Sequence, residues 1–243
     1  MKTTVIIIPT RLRARRLPNK PLIKINNLPI IVHVLNRATE SSVGEVIVAT
    51  PDQEIIDVVE KNGGKAVLTN EEHPSGSDRV YEAYIKNLDK KFDLIINLQG
   101  DMPNIKPNSI LKLEKMMRNN KCDIGTLASP IKNKKEIEDP NIVKLLVDQD
   151  LQDNDFLEVK DFFRKSNDTN NKKIYHHIGI YAFTSDALTK YVKFSRSQLE
   201  IDRNLEQMRA MENKMIIKTG YCDSSPLGVD TEKDLKQVTE EMI

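Results

Sequence analysis

The sequence predicts an α/β protein: a doubly wound, mostly parallel sheet accompanied by a smaller α+β section. Two observations lead there. Up to residue 99, short β-branched runs alternate with helical patterns, as βαβ units do. After Asp123 that alternation stops, and strand-like runs follow one another with polar chain between them.

TVIII at 4–8 reads as the first buried strand. PIIVHVLNRATES at 29–41 carries Ile31, Val34, Leu35 and Ala38 at helical spacing. Strands EVIVAT (45–50), KAVLT (65–69) and DLIINLQ (93–99) alternate with helices over 52–62 and 78–90, the latter capped by Ser77 or Asp78. IGTLASPI (124–131), NIVKLLVD (141–148) and IYHHIGIYAF (174–183) read as strands, and the polar chain at 149–173 as an exposed loop. Helices near 185–193 and 198–213, a strand IIKTG (216–220) and a helix from Thr231 complete the pattern. Residues 1–122 and 221–243 are therefore expected to form the α/β core, and 123–220 the smaller section.

At 39% hydrophobic, the chain has ample material for a core. Its charge is nearly balanced, net +1, which argues against non-specific attraction to nucleic acid or an anionic membrane. Cys122 and Cys222 show no metal-ligand spacing and read as reduced structural thiols. The four apolar residues before Pro9 are too few for a signal peptide, and nothing approaches a membrane span, so the expected setting is the cytoplasm.

Against that balance, PTRLRARRLPNKPL at 9–22 collects Arg11, Arg13, Arg15, Arg16 and Lys20 without one acid, directly after the first strand. In doubly wound sheets, ligands bind at the carboxyl ends of the strands. No glycine is present for a phosphate-cradling loop, so charge would have to come from side chains. The stretch is either a solvated basic loop or a polyphosphate site, with Pro18 and Pro21 fixing where Lys20 points. HPSGSDR (73–79) is an ordinary loop and cap, or a place where small residues let a base or ribose approach. LQGDMP (98–103) offers Asp101 either as a turn former or as a carboxylate for Mg²⁺ against phosphate oxygens. In LGVDTEKDL (227–235), Asp230 either caps the last helix or supplies a second such carboxylate. His177 and Tyr181 share one strand face in HHIGIYAF, and Glu206 and Gln207 open a polar patch in LEQMR; these are structural or line a pocket for a polyhydroxylated ligand.

Taken in order, IIIPTRLRARRLPNKPL, VIVATPD, HPSGSDRV, IINLQGDMP, NIVK, HHIGIYAF, LEQMRAMEN and GVDT resemble the 3-deoxy-manno-octulosonate cytidylyltransferase family, over residues 4 to 235. The resemblance implies a Rossmann-like nucleotidyltransferase fold and a cytoplasmic homodimer. It also implies Mg²⁺-dependent transfer of CMP from CTP to 3-deoxy-D-manno-octulosonate (Kdo) for lipopolysaccharide synthesis, with no nucleic acid or membrane partner. Arg11, Arg16 and Lys20 match the triphosphate-binding cations. Pro9, Thr10, Ser75, Gly76 and Gln99 match positions lining the cytosine and ribose. Asp101 and Asp230 match the metal-binding carboxylates, and with Lys20 and Arg16 the catalytic group. His177, Tyr181, Glu206 and Gln207 match the sugar pocket, where the smaller section is expected to bind sugar and dimerise. The chain departs from the family pattern at Thr10, Ala14, Asn19 and Met102, where Ala, Ser, Gly and Glu are usual. Near 151–173, Phe162, Phe163 and Ser166 keep the outline, Lys165 stands in the first arginine position with Arg164 beside it, and the second arginine is absent. Arg203 falls where an acid is common. Arg13 and Arg15 match no family role. Competing readings are a cytidylyltransferase for another acidic sugar, a CTP-binding protein without turnover, and an RNA-binding loop, against which the absence of aromatics in 9–22 speaks.

Overall fold

A computed structural model describes residues 3–13, 16–87, 91–165 and 173–242. The chain divides into two compact units, residues 1–111 with 226–243, and residues 112–225.

The first unit opens with β1 (Thr4–Pro9), buried along its whole length. A basic loop and a 3-10 turn (Lys20–Leu22) lead into the hairpin β2 (Lys24–Ile25) and β3 (Leu28–Pro29). Asn26 and Asn27 take the positive φ that this tight turn demands. Then follow α1 (Ile30–Glu40), β4 (Glu45–Thr50), α2 (Gln53–Lys61), β5 (Ala66–Leu68), α3 (Gly76–Asn87) and β6 (Leu94–Leu98), and the division between the units falls within α4 (Pro107–Asn119). The strands lie in the order β5-β4-β1-β6 and every pairing is parallel. The order of the sheet reverses between β1 and β6, the switch point at which doubly wound sheets bind ligands.

Two details differ from the sequence reading. The cap of α3 is Ser75, not Ser77 or Asp78: its Oγ accepts from the Asp78 N–H at 3.4 Å and donates to Asp78 Oδ2 at 2.7 Å. Helix α3 thus begins earlier than expected, and residues 88–90 lie outside the described residues. Helix α4 was not anticipated at all, because lysines and Glu114 dilute the stripe of Ile110, Leu113 and Met117 that it buries.

The second unit contains β7 (Ile124–Pro130), α5 (Lys134–Glu138), β8 (Lys144–Val147), β9 (Phe156–Glu158), β10 (Asp161–Phe163), β11 (Lys173–Thr184), α6 (Ser185–Tyr191), α7 (Gln198–Arg203), α8 (Gln207–Glu212) and β12 (Ile217–Tyr221). Its strands run β10-β8-β11-β7-β12-β9, antiparallel except for the β7–β12 pair. The chain then closes on α9 (Glu232–Glu241) in the first unit. Part of the predicted loop at 149–173 forms β9 and β10, which as three-residue strands leave no periodic trace. The single helix expected at 198–213 is two, broken where Asn204 turns left-handed at φ 51°. Among the described residues, no helix is long and apolar enough to cross a membrane.

The break between α7 and α8 is held by a buried ion pair. Arg209 donates to both carboxylate oxygens of Glu200 at 2.8 Å, and its guanidinium lies 4.5 Å from the centre of the Tyr191 ring. Burial would raise the Glu200 carboxyl, but Arg209 and then Arg196 hold it below its ordinary range. Arg209→Met is expected to lower stability by about 3 kcal/mol, because it removes the buried partner of the Glu200 carboxylate and leaves only the half-exposed Arg196. The urea midpoint should fall at constant m, and adding Glu200→Leu should recover much of the loss.

Candidate active site

The basic loop is tied down at several points. Thr10 N–H donates to the Ala49 carbonyl at 3.0 Å. Leu12 N–H donates to Asp52 Oδ2 at 2.8 Å, and the Leu12 carbonyl accepts from Asn19 N–H at 3.3 Å. Leu17 packs into a cluster with Ile25, Ile30, Val229 and Val238. Asn19 sits at φ 55° and ψ 22°, a left-handed conformation that glycine adopts freely and asparagine better than most residues. That explains how this chain manages without the family's glycine.

Lys20 follows directly and opens the 3-10 turn, with Pro21 second in it. Its ammonium donates to Asp101 Oδ2 at 2.8 Å and to Asp230 Oδ1 at 3.0 Å. Arg16 Nη2 donates to the other Asp230 oxygen at 2.7 Å. Burial would lower the Lys20 pKa, but the two carboxylates outweigh it and hold the ammonium above its ordinary value. Asp230 does not cap α9. Thr231 does, in a capping box with Asp234, and this leaves the Asp230 carboxylate facing the lysine. Val229 N–H donates to the Asp101 carbonyl at 2.9 Å, which brings the two acidic segments together.

Three further residues meet at the carboxyl ends of β1 and β6. A Cβ on Gly76 would stand 3.4 Å from the Gln99 amide and 3.5 Å from Pro9, so Gly76, Gln99 and Pro9 converge. Gln99 Nε2 donates to Asn97 Oδ1, and Asn97 Nδ2 to Ser77 Oγ, fixing the amide. Ser75 is engaged as the α3 cap. Arg11 and Arg13 are exposed, and Ala14 and Arg15 lie outside the described residues. Sequence reasoning missed two supporting residues. One is Asp52, signalled by PD at a helix start. The other is Arg79, buried in the first turn of α3, which donates to Thr69 Oγ1 and to the carbonyls of Asn70 and Glu71.

In the second unit, His177 is buried with Nε2 3.0 Å from Thr126 Oγ1. Thr126 donates its proton to the Ile180 carbonyl at 2.7 Å, within the β11 bulge between Ile178 and Tyr181, and so receives one from His177. Burial, with smaller contributions from His176 and Arg164, pushes His177 down to about 3; it is a neutral donor. Its ring packs edge-on to Phe162 at 5.1 Å and tilted against Tyr181 at 5.3 Å. Burial and the nearby Glu206 raise the Tyr181 phenol well above its ordinary value. Glu206 stands just before α8 and Gln207 begins it, so the polar patch is at a helix start and not along a helix face. Lys165 is placed differently: it lines a cavity of about 490 Å³ with Pro140, Asp161, Phe163, Arg164 and Arg203. Arg203 there donates to Asp161 and to the Phe162 carbonyl, which is why an arginine is accommodated at that position. Ser166 lies outside the described residues.

The cytidylyltransferase family model matches residues 5–217. The 3-deoxy-manno-octulosonate cytidylyltransferase of Bartonella tribocorum is 41% identical over 235 residues, 96% of each chain. This chain belongs to the 3-deoxy-manno-octulosonate cytidylyltransferase family. The Rhodopseudomonas palustris member is 43% identical over 96% of this chain and 95% of its own. A solved CMP:2-keto-3-deoxy-manno-octonic acid synthetase complexed with CTP superposes with a TM-score of 0.89 at 34% identity, covering 99% of this chain and 98% of the other. The expected doubly wound α/β architecture, a mostly parallel sheet with a smaller α+β section, is the one this solved family structure shares.

Two predictions follow from the geometry. Asn19→Gly should leave thermal stability unchanged, whereas Asn19→Val should cost about 1–2 kcal/mol from the left-handed backbone. His177, neutral when folded, takes up its proton on unfolding, so stability is full above about pH 6.5 and falls as pH drops toward 3. His177→Gln should flatten that slope in urea midpoints measured between pH 6.5 and 4.

Proposed function

We propose that this chain transfers CMP from CTP to the anomeric hydroxyl of Kdo and releases pyrophosphate. The observation that carries the reading is the Lys20 ammonium bridging Asp101 and Asp230, with Arg16 alongside, at the switch point of a sheet shared with family members over nearly its whole length.

The chemistry needed is one displacement. The sugar oxygen bonds to the α-phosphorus, and the bond from that phosphorus to the β-phosphate oxygen breaks. The hydroxyl proton passes to solvent water, and pyrophosphate leaves with the bonding pair. No covalent intermediate on the protein is required; the work is alignment and neutralisation of charge. Arg11, Arg16 and Lys20 are read as the triphosphate cations, with Lys20 and Arg16 countering charge on the departing pyrophosphate. Pro9, Thr10, Ser75, Gly76 and Gln99 are read as the floor for cytosine and ribose. His177, Tyr181, Glu206, Gln207 and Lys165 are read as the sugar side, where a neutral His177, its one N–H held by Thr126, and an un-ionised Tyr181 add no negative charge to repel an acid.

Asp101 and Asp230 suit Mg²⁺: they are oxygen donors that already share one cation, and Mg²⁺ is commonly bound through one or two carboxylates plus substrate phosphates. When bound, the ion would supply electrostatic polarisation of the α-phosphate. The same reading carries the family expectations of a cytoplasmic homodimer and of a product used in lipopolysaccharide assembly.

The test is pyrophosphate release with CTP, Kdo and Mg²⁺, omitting each in turn, beside a panel of other 2-keto sugar acids. Lys20→Ala and Asp230→Asn should each lower kcat by about 100-fold or more. Full activity in both would refute their roles, and release without Kdo would refute the transfer.

A further inference from the structure

Among the fully buried side chains of the second unit is a lysine that the reaction described above does not use. Lys144, in the NIVK stretch of β8, has no solvent exposure. Its strand lies between β10 and β11, paired with Phe163 on one side and His176 on the other. A buried ammonium needs partners for its protons. All of those found are backbone oxygens: the carbonyls of Asp139 and Ile142, both at 2.8 Å, and the carbonyl of Arg164.

These contacts join two segments that are distant in sequence. One is the turn at 139–142, between α5 and β8. The other is the stretch after β10, where Arg164 also donates from its guanidinium to the Pro140 and Asn141 carbonyls. Pro140, Arg164 and Lys165 all line the cavity of about 490 Å³. Next to Lys144, the Val143 carbonyl accepts from the His177 N–H at 2.9 Å, so the same strand end also orients the buried histidine.

We propose that Lys144 is a positioning residue for the carboxylate end of the sugar acid: by clamping the Arg164 carbonyl against the 139–142 turn, it holds the Arg164–Lys165 pair in the lining of the cavity. This rests on the reading of the chain as a Kdo-activating enzyme. The role is a matter of placement. Lys144 is enclosed and touches no ligand itself, whereas the segment it holds carries the cations.

The charge environment supports the assignment. Burial lowers the Lys144 pKa to about 8; Asp139 opposes this and Arg164 adds to it. The charged and titratable groups around it are Asp139 on the turn, Arg164 after β10 and His176 on β11, with Glu136 and Lys132 acting on that histidine in turn. As pH rises through about 8 the ammonium becomes an amine, one donor is lost, and the clamp loosens. Stability moves the opposite way, because a lysine that deprotonates more readily folded than unfolded favours the fold as pH rises between the two values. Weaker sugar binding with undiminished stability is therefore the signature of this clamp.

The test is steady-state kinetics of the full chain with CTP and Kdo, comparing the unmutated enzyme with Lys144→Met. The variant should raise the KM for Kdo by about 10- to 100-fold while the KM for CTP stays within about twofold. In the unmutated enzyme the KM for Kdo should climb between pH 7.5 and 9, with the KM for CTP flat and the urea midpoint not falling. Lys20 and Tyr181 lose their protons above their ordinary values and cannot produce that limb. Should Lys144→Met not fold, the pH series on the unmutated enzyme still decides. A KM for Kdo that stays level to pH 9, or a variant whose two KM values move together, overturns the assignment. No Kdo-dependent pyrophosphate release in the unmutated enzyme overturns the functional reading itself, and this inference with it.

Discussion

One backbone hydrogen bond organises the first unit: the Val229 N–H to the Asp101 carbonyl, at 2.9 Å. It fastens a segment from near the end of the chain to the turn that follows β6. A second bond, from Leu227 N–H to Asn104 Oδ1 at 3.0 Å, runs parallel to it. The side chains on either side then point to different ends. Val229 goes inward to Leu17, Ile25, Ile30 and Val238, and so pins the basic loop from below. Asp230 goes outward to Lys20 and Arg16. An apolar residue and a carboxylate next to each other in GVDT thus set the depth of the basic loop and neutralise its charge. Thr231 completes the arrangement by taking over the cap of α9, without which Asp230 would be drawn to the helix start.

The parts of this fold that were legible in the sequence are those whose signal is local. β1, β4 and β6 are short apolar runs, and α1 and α2 carry clean helical stripes, so their places in a parallel sheet followed from pattern alone. The parts that were not legible depend on partners far away in sequence. β10 is three residues long and exists because β8 accepts it. The helix predicted across 198–213 has continuous amphipathic character, yet Asn204 turns left-handed and Leu205 N–H reaches back to the Glu200 carbonyl at 3.2 Å. Nothing in the local pattern forbids one helix there. The buried Arg209–Glu200 pair, formed across the break, is what makes two the better solution.

The candidate site divides in the same way. Lys20, Asp101 and Asp230 could be grouped as candidates because the residue order resembles a family; singly, each also read as solvated loop, turn former or helix cap. Asp52 and Arg79 were not, because each acts on backbone. Asp52 receives the Leu12 N–H, and Arg79 holds the Thr69–Glu71 turn. Residues that shape a loop through its amides leave no mark at the loop itself.

Two lysines show how surroundings, more than residue type, assign a role. Lys20 and Lys144 are both withdrawn from solvent, and burial pulls both toward losing the proton. Around Lys20 the acceptors are two carboxylates, whose charge exceeds the cost of burial and keeps the ammonium firmly charged. Such a group is suited to countering phosphate, since an ammonium is a compact point charge with three donors that can change partners. Around Lys144 the bonded acceptors are neutral carbonyls, which orient an ammonium without balancing its charge, so burial prevails. A lysine in that setting is poorly suited to hold a ligand's charge and well suited to hold backbone. The same side chain thus serves as a counter-charge in one unit and as a clamp in the other, and the difference lies in whether the oxygens it meets carry a full charge or a dipole.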